Sequence, residues 1–366
     1  MNTTTLKSFA PDLAGRSLAD AGWRNAGLGL LAVRFIQGFI YWGGGSRRFI
    51  YAPSKLDAWS GHNWMAHKFH TAMPGAILGM DKVIAYMLHH FVLLYAGVIL
   101  FSAAELIAGL FLMLGIFTRA SALVSVGFSV VLMLMFGWQG ATCIDEWTMA
   151  ACNLAMGTTL LLAGGGAYAL DNVRLRRNPA LAGRGWFRWA AGSLPLPLDD
   201  GRLRTLALAL FAFVAVFDVG TYSYYRGSVV TPFHGGPVSP SKHHVSLSDG
   251  VLAADGSVRF HAYLDAGTPE APSHIVDAAL VEAGSGQMAE HWDTKTLTTL
   301  PKTAIVNDFD YQQFKPGPFG ITAGIGAMAT ITLPPAGTPT LSAPNYVLKL
   351  TSANNHVFTL SLPAPH

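Results

Sequence analysis

The sequence predicts a membrane-embedded α-helical bundle, a four-helix core with one extra transmembrane helix, followed by an all-β sandwich outside the membrane. Three observations predict it. Of 366 residues, 51% are hydrophobic and only 12% are charged, too apolar a balance for a soluble protein of this size. Five apolar runs are long enough to cross a hydrocarbon core of ~30 Å. The last third changes period, with apolar residues alternating by twos between turn signals.

The runs lie at roughly 27–45, 88–117, 120–138, 146–165 and 203–224. Residues 1–26 are polar and lead into the first run without a small-residue cleavage site, so it reads as an uncleaved anchor. The short Thr118-Arg119 connection makes the second and third runs antiparallel neighbours. Orientation follows from the cations. Lys7, Arg16 and Arg24 precede run one, Arg119 separates runs two and three, and seven arginines from Arg174 to Arg204 separate runs four and five. All share one side if the N-terminus is cytoplasmic, as the positive-inside bias requires. The loop 46–84, the loop around Cys143 and everything after Tyr225 then lie outside the cytoplasmic membrane.

The outer tail begins with a Gly/Pro-rich linker, TPFHGGPVSP at 231–240, poor material for a helix. Val258, Phe260, Ala262 and Leu264 then share a face, as do Ala329, Ile331 and Leu333, and Phe358, Leu360 and Leu362. Seven or eight such strands predict a sandwich. Trp292, between His291 and Asp293, is expected in its core, and KPGPFG at 315–320 is a turn. The expected domains are therefore 1–190 (four-helix unit), 191–230 (linker end and fifth helix) and 231–366 (sandwich).

Two cysteines and no CxxC leave no zinc framework, and there is no GxGxxG, P-loop or haem CxxCH. No metal, haem or flavin is expected. A net charge of +3 decides nothing by itself, and no nucleic-acid partner is expected.

Within the second run, GVILFSAAELIAGLFLMLGIFTR (Gly97–Arg119), stands one carboxylate, Glu105. A charge at that depth costs several kcal/mol unless it is paired or wet, so it marks a functional site. Arg34 is the second such charge. At 1.5 Å per residue it lies about 15 Å from Arg24, and Glu105 about 21 Å from Arg119. The depths differ by about 6 Å, which makes an Arg34–Glu105 pair the expected answer, either as a structural clasp or as the edge of a quinone pocket or proton route.

The first outer loop carries Arg47, Arg48, Lys55, Lys68 and Lys82 against only Asp57 and Asp81, with Trp42, Trp59 and Trp64 interleaved. Such a cationic loop suits a small oxyanion or lipid headgroups with an interfacial tryptophan belt. His62, His67 and His70 have few carboxylates near them and no converging second cluster, so satisfied or solvated histidines are expected rather than ligands. His89 and His90, at the outer end of run two, suit proton exchange with a reduced quinone. Cys143 and Cys152 would stand ~13 Å apart on one continuous helix. They reach disulfide range only if the loop folds back; otherwise they are two thiols.

The run with Glu105, Gly109, Gly115, Thr118 and Arg119, followed by LLAGGGAYALD at 161–171, resembles the DoxX/DoxD membrane proteins. With a fifth span and an outer β domain, the chain resembles the DoxD and DoxA subunits of thiosulfate:quinone oxidoreductase fused into one, over about 1–190 and 203–366. The resemblance implies a four-helix bundle that oxidises two thiosulfates to tetrathionate and passes the electrons to membrane quinone. It carries over no catalytic residues. Joined to the residue reading, it gives Cys143, Cys152, His89 and Glu105 as expected catalytic groups. Arg47, Arg48, Lys55 and Lys68 are expected to gather thiosulfate, and Arg34, His90 and Trp42 to contact quinone. Further partners would be the bilayer, and a second copy or other respiratory subunits. The rival is a non-enzymatic DoxX-type membrane scaffold whose outer sandwich binds a partner protein. A transporter is disfavoured, because no inverted repeat is visible.

Overall fold

The computed structural model describes residues 18–139, 146–226, 243–269, 271–337 and 341–365. They fall into two compact units. One comprises Met1–Pro53, Ile99–Val131 and Ala150–Asp218, the other Ser54–Val98, Leu132–Met149 and Val219–His366.

The first unit is helical. It contains α1 (Leu18–Ser46), which widens into a π-turn at Arg47–Tyr51. Most of a long apolar helix, here α4 (Phe91–Leu114), belongs to it, with α5 (Thr118–Phe136) and α6 (Glu146–Ala163). Small residues bring the backbones together. A methyl group on Gly38 would press on Gly109 O at 2.7 Å, and one on Gly157 would press on Ser125 Oγ at 2.9 Å. Gln37 of α1 donates to Ser125 Oγ of α5 at 3.0 Å and to Asn153 O of α6 at 2.8 Å, so one side chain ties three helices together. Short helices α7 (Leu170–Arg177) and α8 (Gly185–Ala190) follow, then α9 (Asp200–Arg226).

Among the described residues, four helices are long and apolar enough to cross a membrane, those over Arg24–Tyr51, Phe91–Leu114, Thr118–Phe136 and Asp200–Tyr225. The sequence predicts five, and α6 accounts for the difference. It is 18 residues long, but Glu146, Asn153 and its threonines dilute its apolar character. Its buried residues Ala150, Asn153, Leu154, Gly157, Thr158 and Leu160 form one stripe at helical spacing, so it joins the core through a partly polar face.

Two breaks also refine the expected second run. At His90 (φ −118°, ψ 83°) the helix is interrupted, leaving α3 (Met80–His89) as a separate element before α4. The turn into α5 lies at Gly115–Phe117 rather than at Thr118-Arg119, which already belong to α5. Gly115 has φ +68°, and a Cβ there would meet Ala169 Cβ at 2.6 Å, so glycine satisfies both the backbone and the packing.

The second unit holds α2 (Met65–Ala72), α3 and the β domain. Its strands are β1 (His244–Leu252), β2 (Val258–Ala266), β3 (Ser273–Glu282), β4 (Met288–Trp292) and β5 (Ile305–Asn307), then β6 (Phe314–Gly317), β7 (Gly320–Ala323), β8 (Met328–Leu333), β9 (Asn345–Ser352) and β10 (Val357–Pro363). They pair antiparallel in two sheets, β1-β2-β8-β5 and β10-β9-β3-β7-β6, with β4 added on β3. Phe260 pairs with Ile331 and Ala262 with Ala329, all buried, which places the predicted alternating faces in the core. Trp292 is fully buried, and its Nε1 donates to Pro334 O at 2.6 Å. The short strands β5, β6 and β7 raise the count above eight, because three or four residues are too few to display an alternation. A one-turn helix, α10 (Thr294–Thr298), is capped by Asp293, which accepts from Thr296 N.

Candidate functional site

Along α1 a stripe recurs every three or four residues, running Arg34, Gln37, Tyr41, Gly44 and Arg48. Tyr41 Oη donates to Ser125 O at 3.0 Å and bonds Ser129 Oγ at 3.0 Å. At the head of the stripe, Arg48 Nη1 is ion-paired with Glu105 Oε2 and also reaches Ser102 Oγ at 3.4 Å. Its guanidinium lies 5.8 Å from the centre of the Phe101 ring. Gly44 faces the Glu105 carboxylate so closely that any side chain there would collide with it. The result is a largely buried acid–base pair between α4 and the π-turn after α1, backed by a line of hydroxyl and amide groups. Such a pair can hold or deliver a proton and donate a hydrogen bond to a carbonyl oxygen of a bound molecule.

The expected Arg34–Glu105 pair is not formed. Gly44, the α1 residue against Glu105, lies ten positions beyond Arg34, about 15 Å along the helix, too far for an arginine to span. Instead Arg34 Nη1 donates to Gly165 O and, at 3.3 Å, to Ala167 O. These carbonyls belong to a knot built from the LLAGGGAYALD segment. Asp171, fully buried, accepts from Phe117 N (3.1 Å), Thr118 N (3.3 Å) and Gly192 N (3.2 Å). It thereby caps α5. Arg119 donates from Nε to Leu161 O (3.1 Å) and from Nη1 to Arg188 O (3.1 Å) and Ala191 O (2.7 Å). Arg34 is thus committed to backbone carbonyls and takes part in a structural clasp with a different partner.

Of the four cations expected to gather an oxyanion, Arg48 is taken by Glu105. Lys68 is taken by Glu146 at 2.8 Å, with Gln139 Oε1 at 3.2 Å. Arg47 is exposed and Lys55 half-buried. Trp42 is half-buried beside Phe39, with ring centres 6.0 Å apart. His90 is exposed; its Nδ1 lies 2.7 Å from Tyr86 O, and its ring stacks on Tyr86. Cys152 is an exposed thiol, and Cys143 lies outside the described residues, so their pairing does too. Among the described residues no three His, Cys, Asp or Glu side chains gather in a metal-binding group.

In the second unit the segment around α2 meets the β domain through histidines. His70 is fully buried, and its Nδ1 accepts from Gln312 N at 2.9 Å. Gln312 Nε2 donates to His67 O at 3.3 Å. The Phe309 ring lies 4.8 Å from that of His70 and 4.6 Å from that of His89. Burial pushes the His70 imidazole down to about 4, partly offset by a backbone hydrogen bond to Gly326 and reinforced by His67. Burial also lowers His67, with a smaller contribution from His62. An unfolded histidine takes up its proton near 6.5, so the unfolded chain binds more protons between about pH 6.5 and 4. The stability that His70 contributes is whole above that window and falls as the pH drops through it, by roughly 3 kcal/mol in all. His70→Gln is expected to flatten the fall in melting temperature between pH 6.5 and 4. An unchanged slope would remove His70 from the account.

Gln37, Tyr41 and Arg48 recur at helical spacing with Arg34, but the α5 serines that complete the line lie on another helix and carry no such signal, and Arg48 reads from the sequence as a loop cation. A reading by charge alone singles out Arg34 and passes over the neutral members.

Residues 30–189 match the family model described as the TQO small subunit DoxD, and residues 225–358 the model described as the TQO small subunit DoxA. Among solved structures, the Iho670 flagellar-like filament aligns at 11% identity over 46% of this chain and 99% of its own, with a TM-score of 0.21. The Pseudomonas fluorescens alkylpurine DNA glycosylase AlkC, bound to DNA containing an abasic site analog, aligns at 14% identity over 92% and 99%, with a TM-score of 0.19. At such scores neither carries an argument about this chain.

Proposed function

Since the chain belongs to the DoxD and DoxA families of thiosulfate:quinone oxidoreductase small subunits, we propose that it oxidises two thiosulfates to tetrathionate and passes the two electrons to a membrane quinone. The observation that carries this reading is the presence of both subunit families, end to end, in one polypeptide. The Arg48–Glu105 pair supports it, since quinone reduction needs two protons and a hydrogen-bond donor at the depth where a lipid-soluble acceptor resides. In this reading the N-terminus is cytoplasmic and the β domain lies outside. Quinone enters from the lipid, with Trp42 as an apolar wall and Arg48 in the role first expected of Arg34. His89 and His90 exchange protons on the outer side, and Arg47 and Lys55 attract the dianion.

The sulfur chemistry is proposed to run through a Cys143–Cys152 disulfide. One thiosulfate attacks it, forming a Cys–S–thiosulfate adduct and freeing one thiolate. A second thiosulfate displaces the adduct as tetrathionate and frees the other thiolate. Quinone then takes two electrons from the dithiolate and two protons, restoring the disulfide as quinol forms. Cys143→Ala is expected to reduce turnover to background while leaving quinone binding intact; tetrathionate production at the wild-type rate by that variant would discard the covalent route.

Detergent-purified protein mixed with thiosulfate and a soluble quinone tests the function itself. The expected result is loss of quinone absorbance with one tetrathionate formed per quinol. Unchanged absorbance, with the protein folded, would favour the scaffold reading instead.

A further inference from the structure

Beyond that activity, we infer that the arginine-bearing end of the first unit binds a phospholipid with an anionic, phosphate-bearing headgroup. The site is a cavity of about 940 Å³ walled by the start of α1, the beginning of α5, α7 and the segment that follows α8. Three arginines line it, Arg24, Arg119 and Arg176, and no carboxylate does so among the described residues. Leu28, Leu162 and Leu203 supply part of a mainly apolar wall.

Two details show that the polar part of this wall is unsatisfied. Ser193, in the lining, has a buried hydroxyl with no partner among the described residues. Arg119 is only 1% exposed, and its described bonds use Nε and Nη1, leaving Nη2 without one. The charge count points the same way. The knot beside the cavity buries two guanidinium groups, Arg34 and Arg119, against the single carboxylate of Asp171. An excess buried cation is costly unless an anion answers it.

The combination selects the ligand class. A neutral quinone gives the three arginines nothing to pair with, and a free phosphate leaves the leucines uncovered. A lipid whose phosphate lies among Arg24, Arg119 and Arg176, with an acyl chain along the leucines, satisfies both. Arg119 and Arg176 lie at helix ends and Arg24 in the second turn of α1, near the level where headgroups reside in a bilayer.

Native mass spectrometry of the full chain in detergent, with equimolar dioleoylphosphatidylglycerol and dioleoylphosphatidylcholine, tests the inference. One phosphatidylglycerol per chain is expected to be retained in preference to phosphatidylcholine. Arg24→Gln and Arg176→Gln, both of exposed residues, are each expected to weaken retention about fivefold. Arg177→Gln, one residue outside the cavity lining, should leave it unchanged. Equal retention of the two lipids, or wild-type retention in the Arg24→Gln/Arg176→Gln double variant, would overturn the proposal. So would inorganic phosphate raising the melting temperature as far as phosphatidylglycerol does. None of these readouts depends on thiosulfate or quinone turnover.

Discussion

Arg48→Ala is expected to destabilise the protein by about 3–5 kcal/mol and to abolish quinone reduction. The two side chains of the pair are only 16% and 11% exposed, so removing the guanidinium strands a carboxylate that water cannot reach easily. Breaking a buried pair in this way costs on that order. The stranded acid escapes part of the penalty by binding a proton, and a permanently protonated Glu105 can no longer take one up. Glu105→Gln leaves Arg48 unanswered and is expected to be nearly as damaging. The informative variant is the double one, Arg48→Met/Glu105→Gln. Removing both charges is close to neutral for a buried pair, so its melting temperature should recover while turnover stays at background. Recovery of both together would reduce the pair to a clasp with no part in the chemistry.

Asp171→Ala should be the most damaging single substitution for folding. It leaves Phe117 N, Thr118 N and Gly192 N without their acceptor, and each unsatisfied buried donor costs about 1–3 kcal/mol. It also removes the one buried carboxylate beside Arg34 and Arg119. Together these losses are comparable to the roughly 5–15 kcal/mol that holds a typical domain folded. The expected outcome is aggregation on size-exclusion chromatography. Asp171→Asn keeps one carbonyl acceptor and should lie between the two. A monodisperse Asp171→Ala protein with the wild-type melting temperature would show that the knot does not depend on its acid.

These two acids mark how far the sequence could be read. Glu105 stood out because an acid in an apolar run must be answered by something, and that physical demand is local. Its partner was not legible. Depth arithmetic on straight helices favoured Arg34, whereas α1 continues through the π-turn at Arg47–Tyr51 and returns Arg48 to the acid. Asp171 was visible only as the last letter of a glycine-rich motif. Its role depends on three backbone N–H groups more than twenty or fifty residues away in the chain.

The sequence by itself determined the division into apolar helices and an alternating β region, because hydrophobic period and run length are local properties that dictate what each segment can bury. It also determined that charges inside the apolar runs need partners. Only the tertiary structure decided which partners those are, Arg48 for Glu105 and backbone carbonyls for Arg34, as it also decided Gln312 for the buried His70 of the first loop. The reason is geometric. A hydrogen bond is made or lost over about an ångström, and the turns and glycine contacts that set such distances accumulate along the whole chain.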